Sequence, residues 1–171
     1  MKETGAAEYK LKSISQAGIG EANAKAEFYR LLNEPEETES ICKDVLAVDP
    51  ENQDALRILG LAISDQFDGS PKDRYAEAED MFRRLSNAYD RAYYTGLAHE
   101  RRAKAQLRAG RPPHTLLVLF EEAMRCFEEA ARISPAGNDD AILRWNRCVR
   151  ILQSRPESDW VQQVETFHIA E

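Results

Sequence analysis

Apolar residues recur along this chain every three or four positions: Leu56, Leu59 and Ile63, then Ala78, Phe82 and Leu85, then Ala123, Phe127 and Ala130. That spacing places each set on one face of an α-helix, and no stretch alternates as a strand would. Breaks fall at 33–35, 49–52, 68–71, 110–115 and 134–140, each carrying the Pro, Gly, Asn or Ser chemistry that ends one helix or starts the next. They predict about seven helices in successive hairpins. Pro35 and Pro71 suit first turns, where the missing N–H costs nothing. Glu36 and Glu37 then sit beside the positive end of a helix dipole and read as helix-start residues, not catalytic ones.

The pattern also repeats. Leu56, Leu59, Gly60 and Ile63 fit the first block of a 34-residue repeat, W-x2-L-G-x2-Y, with leucine in place of tryptophan. One period earlier the same slots hold Ala22, Ala26 and Tyr29, and Pro50 stands where a unit closes. Ala78 with Phe82 and Ala123 with Phe127 reproduce the second block, A-x3-F, and Ala130 and Pro135 complete the third unit. Over residues 19–153 the chain resembles the tetratricopeptide repeat family. The resemblance implies an all-α fold of helical hairpin repeats, stacked as a superhelix, whose first helices line a concave groove for a partner's peptide.

Three departures from the pattern stand out. Between Gly60 and Ala78 there are six residues more than the repeat has, which lengthens the turn through Asp65 to Lys72. The junction before Gly96 is about four residues short. Between Gly96 and Ala123 the surplus is fifteen, close to two added turns on each of two antiparallel helices, so the third hairpin is expected to project.

Residues 138–152 read as a closing helix, capped by Asn138 or Asp139 and carrying Ile142, Trp145, Val149 and Leu152 to cover the last apolar face. Trp145 is expected in the core. In the tail, 154–171, Trp160, Val161, Val164 and Phe167 suit a short amphipathic helix that docks on this molecule or on a neighbour. Residues 1–18 form a weakly periodic N-terminal segment, for which mobility is the expectation.

Charge and composition narrow the function. A net charge of -7 argues against general nucleic-acid or membrane-surface binding. The first twenty residues hold no long apolar run, so neither a secretory signal nor a membrane span is expected, and the default location is cytoplasmic. Cys42, Cys126 and Cys148 are odd in number and set in helical patterns, as reduced core residues would be. His99, His114 and His168 lack zinc-ligand spacing, and no phosphate-binding glycine loop or nucleophile elbow occurs. The expectation is a protein without catalytic residues, metal or cofactor.

One stretch departs from the acidic average. Within 101–114 lie Arg101, Arg102, Lys104, Arg108 and Arg111 with no acidic residue, and Arg101, Lys104, Arg108 and Arg111 share one helix face. Extended backwards, that face reaches Leu97, Tyr93 or Tyr94, and Asp90. Two readings stand side by side. The arginines pair with Glu121, Glu122, Glu128 and Glu129 on the next helix or solubilise the hairpin. Alternatively, they bind an acidic or carboxylate-bearing peptide through paired hydrogen bonds. With the slots that face the groove in the family, the candidate partner-binding residues are Asn23, Glu27, Arg57, Leu61, Tyr93, Leu97, Arg101, Lys104 and Arg108. Asn23, Glu27, Arg57 and Leu61 do not reproduce the carboxylate clamp of chaperone-tail binders.

Leu116 to Phe120 are five apolar residues in a row, so part of the run should touch the preceding repeat or a second copy. The functional expectation is thus a scaffold that binds a partner protein or peptide, with an acidic one favoured by the stripe. The alternative is a self-associating module, a homodimer for instance, using Leu116, Leu117, Phe120 or Trp160. Single-stranded RNA binding by the stripe is a third reading, opposed by the acidic remainder.

Overall fold

The computed structural model describes residues 9–70 and 72–162. They form seven helices of nine residues or more and one short one, with no strand among the described residues: α1 (Ile19–Leu31), α2 (Pro35–Val48), α3 (Gln53–Asp65), α4 (Tyr75–Arg83), α5 (Ala88–Arg108), α6 (Leu117–Ile133), α7 (Asp140–Gln153) and α8 (Glu157–Trp160). Each long helix packs on the next in sequence order, giving three antiparallel hairpins closed by α7. The fold is all-α, a series of helical hairpins.

Local chemistry sets the boundaries. Pro35 opens α2 with Glu36 and Glu37 in its first turn. The Asn52 carboxamide oxygen accepts from the Ala55 N–H at 3.0 Å and caps α3, and Asn87 caps α5 by accepting from Asp90 N–H at 3.0 Å. Asn87 ends the junction that looks four residues short, and the shortness is taken up by α4, which has only nine residues. Asn33, at φ 61, and Gly110, at φ 87, occupy the left-handed region after α1 and α5, where glycine and asparagine strain least. α7 starts at Asp140 with no side-chain cap from Asp139. Instead Asn138 Oδ1 accepts from the Asp140 N–H at 3.1 Å. Pro71 lies outside the described residues, and α4 begins only at Tyr75.

The core repeats with the hairpins. Along the second segment of each, three residues at i, i+4 and i+7 are buried: Thr38, Cys42 and Val45; Ala78, Phe82 and Leu85, the last just beyond the end of α4; Ala123, Phe127 and Ala130. They meet a small residue on the first helix. A Cβ added to Gly60 would lie 2.4 Å from Phe82 Cε1, and one on Gly96 would lie 2.8 Å from Phe127 Cε1. In the first hairpin the corresponding slots hold Ala26 and Cys42, both fully buried, so a smaller partner leaves room for a methyl group. Thr38 Oγ1 there donates to the Ala26 carbonyl at 3.0 Å. Phe82 stacks on Tyr94 at 5.5 Å, Tyr94 meets Tyr93 edge-on at 5.1 Å, and Tyr93 lies 6.0 Å from Phe127, so an aromatic chain joins the second and third hairpins.

The first helices also touch one another, α1 with α3, α3 with α5 and α5 with α7, while α2, α4 and α6 stay farther apart. An array whose members approach more closely on one side curves toward that side. The first helices therefore line its inner face. The third hairpin is the longest, with 21 residues in α5 and 17 in α6. Its turn, the 3-10 segment Pro113–Thr115, packs against α8. Trp160 of α8 is buried edge-on to Phe120, ring centroids 5.7 Å apart, and its Nε1 donates to the Leu152 carbonyl at 2.8 Å.

That cluster corrects the self-association residues. Leu116, Phe120 and Trp160 are buried within the chain, and Leu117 packs partly buried against the same core. Within the apolar run at 116–120, Phe120 packs against Trp160 at the start of the tail, while Val118 stays 56% exposed. The tail folds back because Trp160 gains both an aromatic neighbour and a carbonyl acceptor. Val164 and Phe167 fall outside the described residues.

Candidate partner-binding surface

The candidate groove residues lie on α1, α3 and α5, and most of them are engaged by neighbours within the chain. Asn23 is buried, its Nδ2 donating to Asn52 Oδ1 at 3.0 Å. Leu61 and Leu97 are also buried and offer no side chain to a groove ligand. They point between helices because the first helices approach closely enough to close over them. Tyr93 is half-buried and stacked on Tyr89 at 5.7 Å, a member of the aromatic chain. Glu27 lies 3.6 Å from Arg57 and 3.8 Å from Arg30, and Arg57 lies 3.7 Å from Asp54.

Arg101, Lys104 and Arg108 of the basic stripe are engaged as well, though not by the acids of α6, while Arg111 lies beyond the end of α5. Arg101 Nη1 lies 2.7 Å from Asp65 and donates to Ser64 Oγ at 2.6 Å. Arg30 reaches the other Asp65 oxygen at 2.7 Å. Burial pushes the Arg101 guanidinium down from its ordinary value, with Asp65 opposing. Lys104 pairs with Glu100 at 2.9 Å, and Arg144 of α7 approaches the same oxygen at 3.6 Å. Glu100 is fully buried, and its Oε2 has no hydrogen-bond partner. Arg108 pairs with Asp68 and Arg102 with Asp73. Glu122 and Glu129 instead bond Arg125 and Arg132 of their own helix.

The acids opposite the stripe thus come from the end of α3 and the lengthened turn after it. Asp65, Asp68 and Asp73 answer Arg101, Arg108 and Arg102 in turn. Sequence spacing shows the insertion and the stripe separately; the three aspartates at 65, 68 and 73 are the signal that connects them. A small polar recess of about 190 Å³ remains between Ser64, Asp65, Asp68, Arg101, Lys104 and Arg108.

On the other side of the same turn lies a larger cleft of about 420 Å³, with Phe67, Ser70, Lys72 and Arg74 on one side and the end of α5 and the residues just after it on the other. Its cations are Lys72, Arg74, Arg102 and Arg111, against one carboxylate, Asp73. Arg74 is committed elsewhere, its two terminal nitrogens bonding Glu39 at 2.7 and 3.0 Å. That pair ties α2 to the start of α4, and it holds the Glu39 carboxyl at about 2. Arg102 lies over the Tyr75 ring at 4.6 Å, and its Nε is buried with no acceptor. Lys72 and Arg111 are exposed and make no ion pair among the described residues.

No protein-family model matches the sequence, and comparison with curated proteins finds no match. Among the described residues no group of three or more His, Cys, Asp or Glu side chains gathers as metal ligands would. No described helix is long and apolar enough to cross a membrane.

Proposed function

We propose that this chain is a non-enzymatic scaffold of helical hairpin repeats, resembling the tetratricopeptide repeat family, that binds an acidic segment of a partner protein. The observation that carries the reading is the cleft beside the lengthened turn, where Lys72 and Arg111 have no carboxylate partner and the Arg102 Nε lacks an acceptor. A carboxylate there would neutralise exposed cations and satisfy a buried donor, both favourable. The inner-face stripe is a weaker anchor, because a ligand would have to displace Asp65 and Asp68 from their arginines. A cytoplasmic setting goes with this reading and with three free thiols.

The test is fluorescence anisotropy with a labelled glutamate-rich decapeptide and its glutamine counterpart. The reading expects the acidic peptide to bind more tightly, binding to weaken with salt, and Lys72→Ala with Arg111→Ala to reduce affinity about tenfold with unchanged circular dichroism. Equal binding of both peptides, or no response to the double variant, would overturn it.

A further inference from the structure

The two ends of the hairpin array leave apolar helix faces uncovered among the described residues. At the C-terminal end of α1, Phe28, Leu31 and the capping Leu32 are 58%, 75% and 50% exposed. Their i, i+3, i+4 spacing places them on one face, turned away from α2 and α3. At the far end, Leu143 of α7 is 63% exposed and Ile142 is 47% exposed. Within a repeat array, interior hairpins bury such faces on their neighbours, and an end without a polar cap keeps the capacity to stack.

The ends differ in charge. Between Ile19 and Val48 seven carboxylates stand against three cations, and Glu21, Glu34, Glu36 and Glu37 are exposed. Between Asp140 and Arg155 four arginines stand against one carboxylate. Arg147 and Arg150 are exposed and follow Leu143 at i+4 and i+7, so they border its apolar surface on one helix face.

We propose that copies of this chain associate head to tail, the Phe28, Leu31 and Leu32 face of one copy docking on the Ile142 and Leu143 face of the next, with its glutamates beside Arg147 and Arg150. A contact between two different faces is heterologous, so each added copy presents a fresh end. Like ends repel and unlike ends attract, which disfavours the symmetric pairing of α1 with α1. This inference is independent of the acidic-peptide reading, since it uses neither Lys72, Arg102 nor Arg111.

The experiment is sedimentation velocity over a wide concentration range on wild type, Leu31→Glu, Leu143→Glu and an equimolar mixture of the two variants. Both positions are exposed, so both variants should fold, and circular dichroism checks that they do. Wild type is expected to grow beyond two copies with concentration, and less so in high salt. Each variant alone should be monomeric. Their mixture should form a dimer and stop there, because the first variant keeps its α7 face and the second its α1 face. A wild type that stays monomeric, or a mixture that stays monomeric while wild type associates, would overturn the proposal.

Discussion

Phe82 occupies the space that a side chain on Gly60 would need: its Cε1 lies 2.4 Å from the position of a Gly60 Cβ, and the ring is fully buried. The glycine keeps α3 and α4 at ring-thickness separation. Gly60→Ala gains up to about 1 kcal/mol of helix propensity, but overpacking against an immobile ring costs about 1–3 kcal/mol. The expected net result is a loss of about 1 kcal/mol in urea unfolding. Combined with Phe82→Leu, which removes the obstacle, the loss should be smaller than the sum of the two single changes.

Arg101 and Arg108 share one stripe but not one environment, with side chains 19% and 61% exposed. Arg101→Met removes a buried ion pair and the bond to Ser64, and should cost about 1–3 kcal/mol. Arg108→Met should change stability by no more than about 0.5 kcal/mol. Equal effects in thermal or urea unfolding would contradict this assignment of structural and surface roles.

Glu39 gives the fold an acid sensitivity. Its carboxyl is held at about 2 against an ordinary 4.5, chiefly by the hydrogen bonds from Arg74, with burial opposing. A carboxyl with a depressed folded value contributes stability that is complete above about 4.5 and is lost as the pH falls from there through about 2. Glu39→Gln should therefore lower unfolding free energy at pH 7 by about 2–3 kcal/mol, a gap that closes on acidification. A gap that stays constant between pH 7 and pH 2 would show that the pair contributes nothing through ionisation.

Trp160 should report the docking of the tail within one molecule. Trp160→Ala removes a buried ring from Phe120 and a donor from the Leu152 carbonyl, and should cost about 2–4 kcal/mol without altering the sedimentation of dilute protein. A change in association state instead would mean that the ring is shared between copies.

Burial pushes the Cys42 and Cys148 thiols up to about 12. Both should resist a thiol reagent at pH 8 in the native protein and react at once in denaturant. Rapid native labelling at either would mean that its helix opens readily.

The class of fold and much of its register could be read in the chain itself. Helical periodicity is a property of neighbouring residues, and the matches of Leu56, Gly60, Ala78 and Phe82 to one repeat pattern locate which faces meet, so the buried positions at Ala78, Phe82, Ala123 and Phe127 followed without coordinates. The surplus lengths likewise forecast the long α5–α6 hairpin. The sites were less legible. Leu61 and Leu97 look like groove residues in register, yet whether an inner-face side chain is open depends on how closely the first helices approach, which no local pattern encodes.

What the sequence by itself determined was the helical periodicity, the order of the hairpins, the apolar faces that carry Ala78, Phe82, Ala123 and Phe127, and the existence of a basic stripe. Only the tertiary structure decided which charges meet. Arg101 bonds Ser64 37 positions away, Arg102 bonds Asp73 29 positions away, and Arg108 meets Asp68 across 40. It likewise placed Trp160 on Phe120 rather than leaving both for a neighbour. The physical reason is that backbone hydrogen bonding and amphipathic burial act within a few turns of helix, whereas charge pairing follows from distances that exist only after the hairpins have packed.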